Sequence, residues 1–214
     1  KYLFEMANIR NQDSWVHSDS NEDASDKARD LVRMSVARAG TLHPLEEKKI
    51  PVVERGLVVG GGVAGMNAAL GLADQGYEVV LVEKEAELGG LATRLTATIE
   101  GAKVKPYLNK LVSEVSGHAK IQTLTNALIV GFSGFKGNFT TEILVGPEMV
   151  QRKIDHGVVI LATGAHEYQP KEDEFQYGRN DRIMTQLELA AKMENDDIGD
   201  PQTAVMIQCV GSRN

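Results

Sequence analysis

The 214-residue chain has very little cysteine: Cys209 is its single one. One cysteine excludes an internal disulfide framework, and it excludes a metal site built from several thiolates of this chain. Basic residues are also in the minority, with 23 lysines and arginines against 30 aspartates and glutamates, which gives a net charge of −7. Because nucleic acids are bound largely through neutralisation of their phosphates, we expect no nucleic-acid partner.

Membrane and export signals are lacking as well. Residues 1–10 contain no apolar core of the kind that a signal peptide needs. The run from Gly56 to Ala73 is uncharged over 18 residues, but six glycines interrupt it, so it predicts a strand, a turn and a helix and not a membrane span. We therefore predict a cytoplasmic protein. The chain has no initiator methionine and ends close to a predicted strand, which suggests a piece of a longer protein.

Two parts of the chain differ in their pattern. Residues 1–50 form a predicted N-terminal extension, in which apolar residues at three- to four-residue spacing indicate a helix over 22–39. Residues 51–214 form the predicted nucleotide-binding domain, truncated at its C-terminus. The hydrophobic fraction of 42% is ordinary for a globular protein and leaves enough apolar surface for a core.

A strand–helix–strand pattern opens the second part. Leu57–Val59 is a short apolar run, Val63–Gln75 is an alanine-rich helical segment, and Tyr77–Val82 is a second β-rich run. This order predicts a Rossmann-like α/β domain with a parallel sheet and a small antiparallel meander. The further predicted elements are helices over 103–115 and 185–193 and strands over 120–124, 127–132, 138–145, 149–154, 157–162 and 204–210.

The first strand–helix turn carries the pattern G-x-G-x-x-G in residues 60–65. Gly60 lets the chain turn sharply, Gly62 lets a phosphate approach the backbone, and Gly65 lets the helix pack closely. Val63 and Ala64 begin the helix, whose unpaired N–H groups attract a pyrophosphate. These residues predict a dinucleotide site.

An acidic residue, Glu83, ends the next strand. We expect its carboxylate to accept hydrogen bonds from the ribose hydroxyls and to repel a 2′-phosphate. Gly89 and Gly90 follow soon after, and a later apolar strand ends in Ala162-Thr163-Gly164. Such additional close approaches of the backbone favour extended FAD over NAD. An NAD-binding dehydrogenase domain and a non-catalytic assembly module with a degenerate nucleotide fold remain alternatives.

The ordered motifs resemble the two-dinucleotide-binding flavoproteins and, among these, the family of the A subunits of heterodisulfide reductase. The resemblance covers nearly the whole chain and includes Asn8-Ile9-Arg10, Ser14–His17, residues 27–34, Gly137-Asn138-Phe139 and Gln208–Arg213. It implies that Arg94 lies near the FAD phosphates and that the backbone of Leu128 contacts the adenine. The complete predicted cofactor-binding set is Gly60, Gly62, Val63, Ala64, Gly65, Glu83, Lys84, Gly89, Gly90, Leu91, Arg94, Leu128, Ala162, Thr163 and Gly164.

The resemblance also implies an oxidoreductase subunit that passes electrons between FAD and iron–sulfur clusters. Its implied partners are an electron donor and other subunits, which together reduce the disulfide between coenzymes M and B, in an assembly that can include a homodimer. We expect no catalytic side chain, because the flavin carries out the chemistry. His166 follows the Ala162–Gly164 turn and is a further candidate for approaching the cofactor.

One residue departs from the family pattern. Asp13 stands where the family has a cysteine ligand of an iron–sulfur cluster, and an aspartate oxygen is a poor replacement for a thiolate. We therefore expect no metal ligands in this chain, and clusters only in the full-length family protein. Because the C-terminal part of the flavin domain is missing, we expect FAD binding by this chain to be weak or absent.

Overall fold

The computed structural model describes residues 3–171 and 173–211. The chain divides into two compact units, Lys1–Ile50 and Pro51–Asn214. In the first unit, a short π-helical segment, Arg10–Ser14, precedes helix α1 (Asn21–Ala39). The side chain of Ser20 accepts a hydrogen bond from the N–H of Asp23 at 3.3 Å, which caps α1 at the residue before it begins.

The second unit contains the remaining helices and strands. A 3₁₀ turn, Gly90–Arg94, follows the second strand, and another, Glu174–Gln176, precedes the last helix. The elements in chain order are β1 (Arg55–Val59), α2 (Val63–Asp74), β2 (Glu78–Val82), α3 (Val104–Gly117), β3 (Ile121–Leu124), β4 (Ala127–Phe135), β5 (Asn138–Val145), β6 (Val150–His156), β7 (Val158–Leu161) and α4 (Gln186–Glu194).

Two sheets form the second unit. Four parallel strands lie in the order β3-β2-β1-β7, and three antiparallel strands lie in the order β4-β5-β6. Helices α2 and α3 make the crossovers that parallel neighbours require. The predicted fold class, a Rossmann-like domain with a parallel sheet and a small antiparallel meander, is confirmed.

The central strands bury both of their faces. Val58 and Leu81 pack with Met66 of α2 on the helical face of the parallel sheet. Leu57 and Val80 alternate with them and pack with residues of the meander on the other face. Successive residues of a strand point to opposite faces, so an uninterrupted apolar run is what a strand covered on both sides requires.

One predicted strand is wrong. Residues 204–210 form no strand, and the side chains of Val205, Met206 and Ile207 are exposed. An apolar run becomes a strand only when another strand accepts its backbone hydrogen bonds, and the described residues supply none for this segment. The uncharged run from Gly56 divides between β1 and α2. None of the helices in the described part of the chain combines the length and the hydropathy needed to cross a bilayer.

A buried histidine lies between the two sheets. His156 is fully buried, and its Nδ1 lies 3.1 Å from the carbonyl oxygen of Val158, while its Nε2 lies 2.8 Å from Oγ1 of Thr141. A carbonyl oxygen can only accept, so Nδ1 carries the proton and Nε2 accepts from the threonine hydroxyl. Burial lowers the pKa of His156, although the hydrogen bond to Val158 and the carboxylate of Asp155 act in the opposite direction.

This histidine predicts a loss of stability in mild acid. Because the folded protein lowers the pKa of His156 below the value of about 6.5 of an unfolded chain, protons bind the unfolded state more tightly. The protonation of His156 therefore leaves the free energy of unfolding unchanged above about pH 6.5 and lowers it as the pH falls below that value. We expect the urea midpoint to fall between pH 7.5 and 5.5, and to fall less in His156→Gln. His166→Gln removes an exposed histidine of the same unit and is the control; an equal flattening there would contradict the assignment.

Candidate dinucleotide site

The glycine-rich loop lies at the carboxyl ends of β1 and β2. The N–H of Gly60 donates to the carbonyl of Val82 at 2.8 Å, and the N–H of Gly61 donates to Oε2 of Glu83 at 2.6 Å. Gly60 has a φ of 109°, a conformation that side-chain-bearing residues rarely adopt. The loop therefore leaves β1 in a sharp turn and delivers the chain to α2.

Two of the three motif glycines are required by close backbone packing. A Cβ on Gly65 would lie 1.8 Å from the carbonyl oxygen of Gly60, and a Cβ on Gly60 would lie 2.2 Å from that of Ala162. Neither distance can be relieved by moving a flexible side chain, because the opposing atoms belong to the backbone. α2 thus begins directly against the turn that precedes it.

Gly62 has different surroundings. It is the N-cap residue of α2, and no described heavy atom lies within 4 Å of the position that its Cβ would take. Val63 and Ala64 follow as the first residues of the helix. Open space therefore lies in front of Gly62 at the positive end of a helix dipole, which is the arrangement that receives a phosphate group.

The second glycine pair contacts this loop. The N–H of Gly89 donates to the carbonyl of Gly61 at 2.8 Å, and a Cβ on Gly90 would lie 3.2 Å from Cα of Gly62. Both glycines have positive φ, at 125° and 53°. Leu91 follows in the 3₁₀ turn and is half-exposed. A segment far along the chain from the loop thus forms a second wall of the same crevice.

Glu83 is buried beside the loop and makes two hydrogen bonds to the backbone there. Its Oε2 accepts from the N–H of Gly61, and its Oε1 accepts from the N–H of Glu85 at 2.9 Å. Each carboxylate oxygen has two lone pairs, so the group can still accept further hydrogen bonds, such as those of ribose hydroxyls. The carboxylate therefore holds the loop in shape before any ligand arrives.

The later strand reaches the same place. The N–H of Ala162 donates to the carbonyl of Val59 at 2.8 Å, which carries β7 past the turn at Gly60. Thr163 and Gly164 are exposed at the end of this strand, and Gly164 has a φ of 69°. Three segments that are far apart in sequence, beginning at Gly60, Gly89 and Ala162, therefore meet at one edge of the parallel sheet.

Leu128 and Lys84 lie next to this edge. The N–H of Ala127 donates to the backbone carbonyl of Glu83 at 2.9 Å, so Leu128 is one residue beyond the site, with its side chain half-exposed. Nζ of Lys84 lies 3.4 Å from Nε2 of His166. The structure thus brings Lys84 and His166, both predicted from the sequence as candidates for cofactor binding, together at the rim of the site.

Arg94 has a partner that the sequence did not indicate. Its Nη2 lies 3.5 Å from Oε2 of Glu167, a side chain that is mostly buried. Oε1 of Glu167 also accepts from the N–H of Leu187 at 3.2 Å. Glu167 therefore links the 3₁₀ turn, the segment after β7 and the start of α4. Because 73 residues separate Arg94 from Glu167, no local pattern could have predicted this pair.

The residues of this chain do not fit an iron–sulfur cluster. Such clusters require several thiolate ligands, and Cys209 is the chain's single cysteine. Within residues 3–171 and 173–211, no group of three or more histidine, cysteine or acidic side chains is placed to bind a metal ion. Asp13, at the expected ligand position, is buried, and its Oδ1 has no hydrogen-bond partner among these residues. Ser212 and Arg213, which belong to the family-like C-terminal stretch, lie outside the described residues.

The sequence is similar to known proteins over most of its length. The sequence pattern of the pyridine nucleotide-disulphide oxidoreductases matches residues 55–206. The chain is 48% identical to the iron-sulfur A subunit, form 2, of the CoB--CoM heterodisulfide reductase of Methanopyrus kandleri, over 70% of this chain and 23% of that protein. It is 30% identical to the A subunit of the H(2):CoB-CoM heterodisulfide,ferredoxin reductase of Methanothermobacter marburgensis, over all of this chain and 46% of that protein.

The chain therefore spans about a quarter to a half of the length of these two relatives. Among solved structures, L-proline dehydrogenase from P. horikoshii is similar, with 23% sequence identity and a TM-score of 0.49, over 62% of this chain and 27% of that one.

The different surroundings of Gly65 and Gly62 predict different responses to alanine. Gly65→Ala places a methyl group against a backbone carbonyl, and we expect a loss near the upper end of the about 1–3 kcal/mol that overpacking costs. Gly62→Ala meets open space, and we expect a loss of about 1 kcal/mol or less, caused by the poorer N-cap. Chemical denaturation of both variants measures the difference. Equal losses would contradict the close contact between Gly65 and Gly60.

Proposed function

Because this chain belongs to the pyridine nucleotide-disulphide oxidoreductase family, we propose that its second unit binds FAD and that the protein is an electron-transfer flavoprotein of the type found as the A subunit of heterodisulfide reductases. The observation that carries the proposal is the meeting of three glycine-containing segments around the N-terminus of α2, with open space at Gly62. A solvated loop without a ligand would need neither this close packing nor a buried carboxylate beside it.

Each part of the crevice matches one part of the cofactor. The N–H groups of Val63 and Ala64 would receive the diphosphate, with Gly62 and Gly90 leaving room for its oxygens. Glu83 would accept hydrogen bonds from the ribose, and its negative charge disfavours a cofactor with a 2′-phosphate. The backbone at Leu128 would lie beside the adenine, and Thr163 and Gly164 would continue the cradle beyond the diphosphate.

The described side chains have binding roles and no acid–base role in this proposal. Bound FAD would supply the exchange of electrons, one or two at a time. Glu83 keeps the loop in its receiving shape through Gly61, and Glu167 restrains Arg94 at the rim. The guanidinium of Arg94 would help to balance the charge of the diphosphate while keeping its partner Glu167.

The iron–sulfur clusters and the partners of the electron transfer belong to parts outside this chain. Electrons would pass from the flavin to clusters whose thiolates lie elsewhere, since one cysteine cannot supply them. The relatives are named as reductases of the CoB-CoM heterodisulfide, so we propose that disulfide or a similar one as the final acceptor, reached through other subunits.

FAD binding tests the proposal directly. We expect this chain to bind FAD weakly, seen as quenching of the fluorescence of FAD at high protein concentration. Gly62→Ala should weaken that binding by about tenfold or more, because a methyl group occupies the space proposed for the diphosphate. Gly71→Ala is the matched control, since Gly71 lies in the same helix and its Cβ position is also open.

Two results would count against an FAD site. The first is no quenching by this chain together with no flavin in the longer protein that contains it. The second is protection against thermal unfolding by NADH but not by FAD, which would favour the NAD-binding alternative. Equal affinities of the Gly62 and Gly71 variants would place the cofactor elsewhere.

A further inference from the structure

A second opening lies at the opposite end of the parallel sheet from the glycine loop. It is a cavity of about 630 Å³, lined by the first residues of β1 and β2, by the start of β3 and by the middle of β6. Ile143 and Leu57 are fully buried in the core between the two sheets. We name this opening the lower cleft. Its charged lining residues are Arg55, Glu78, Lys120, Arg152 and Lys153.

The lower cleft is positively charged in a chain whose net charge is −7. Four of its charged lining residues are basic and one is acidic. Glu78 lies within hydrogen-bond distance of Arg55, with 3.0 Å between Oε2 and Nε, and Glu142 pairs with Lys153 at 2.6 Å. Nζ of Lys120 donates to the carbonyl of Gly76. With Glu142 included, the cleft has four basic and two acidic side chains, so its formal charge is +2.

Arg152 is the residue that points to a ligand. Residues at alternate positions of a strand share a face, so Arg152 is on the same side of β6 as the buried Ile154 and His156. That side faces the parallel sheet, and solvent reaches Arg152 through the open cleft. Among the residues that the structure describes, none forms an ion pair or a hydrogen bond with the guanidinium of Arg152, whose backbone belongs to the β5–β6 ladder. Its guanidinium is solvated in the open cleft and is available to pair with an anion there.

We propose that the lower cleft binds a compact anion with at least two negative charges, a phosphate or a di- or tricarboxylate. The planar guanidinium of Arg152 can donate two parallel hydrogen bonds to such a group. Arg55 of β1 and Lys120, the residue before β3, also line the cleft and can share the charge of the anion. The volume is within the range of small-ligand sites. The site is separate from the FAD site, so neither requires the other.

The basic side chains of the lower cleft also act on Glu78. The pKa of Glu78 is lowered, first by its hydrogen bond to Arg55 and by the charge of Arg55, and also by the charge of Lys120. The same cations that stabilise this carboxylate would stabilise a bound anion.

A different role for Arg152 makes an opposing prediction. β6 is an edge strand, and a charge on the core-facing side of an edge strand can prevent pairing with another chain. If that were its whole purpose, removing the charge would promote self-association and leave no anion binding to lose. The experiment must therefore measure both binding and oligomeric state.

A titration followed by amide chemical shifts separates these roles. Inorganic phosphate and citrate are added in separate series to the 214-residue protein at constant ionic strength, with sodium chloride as the reference anion. FAD is included to occupy the glycine loop, so that phosphate does not bind there. If FAD does not bind, the positions of the shifted amides still show at which end of the sheet the anion binds. We expect saturable shifts at residues 119–122 and 152–154, and the stronger of the two anions identifies the phosphate or carboxylate class.

Arg152→Gln should weaken this binding by about tenfold or more, because it removes a charge-assisted pair of hydrogen bonds. Arg182→Gln removes the same charge outside the lower cleft and should leave the affinity unchanged. Lys120→Gln is the second test variant if Arg152→Gln does not fold. The proposal is overturned if neither anion exceeds chloride, if the shifts map elsewhere, if the folded cleft variants bind as tightly as the wild type, or if Arg152→Gln dimerises while the wild type binds no anion.

Discussion

The hydrogen bond from the N–H of Gly61 to the carboxylate of Glu83, at 2.6 Å, is the contact on which the candidate site depends. It joins the ends of two neighbouring parallel strands through a group that is buried and charged. A buried carboxylate is costly unless donors satisfy it, and a loop without side chains has few ways to hold its shape. The backbone N–H groups satisfy the carboxylate of Glu83, and the carboxylate in turn fixes the shape of the loop.

The packing around this contact explains why the glycines lie where they do. α2 starts against the carbonyl of Gly60, and the strand end at Ala162 passes the same residue on its other side. The loop is therefore enclosed by backbone on two sides and open only in front of Gly62. This asymmetry makes a crevice with helix N–H groups at its base and, among the described residues, no atom within 4 Å of the position that a Cβ of Gly62 would take.

The two sheets give the second unit two ends with different character. At the carboxyl ends of the parallel strands, glycine-rich segments meet beside a buried acid. At the amino ends, Arg55, Lys120 and Arg152 surround an open cleft. The fully buried pair of His156 and Thr141 lies between the sheets and joins two strands of the meander. One layered core thus supports both ends, and substitutions at one end need not disturb the other.

Sequence reasoning was most successful where the physical cause is local. The positions of β1, α2, β2 and the glycine turn follow from apolar runs and from the turn at Gly60, where φ is positive, so the pattern predicted them closely. Residues 204–210 have the composition of a strand but, among the described residues, lack a strand to pair with. The partnership of Arg94 with Glu167 and the position of Arg152 at the cleft depend on distant segments, so nothing in their neighbours along the chain could indicate them.

The amino-acid sequence by itself therefore determined the fold class, the family and the turn at which a dinucleotide would bind, because periodicity and glycine placement act over a few residues. Only the tertiary structure decided which distant segments form the walls of that crevice, which charges are paired and where an unpaired arginine meets an open cleft. These features arise from side chains that strand order and sheet packing bring together. Contacts between residues far apart in the chain cannot be predicted from a local sequence pattern.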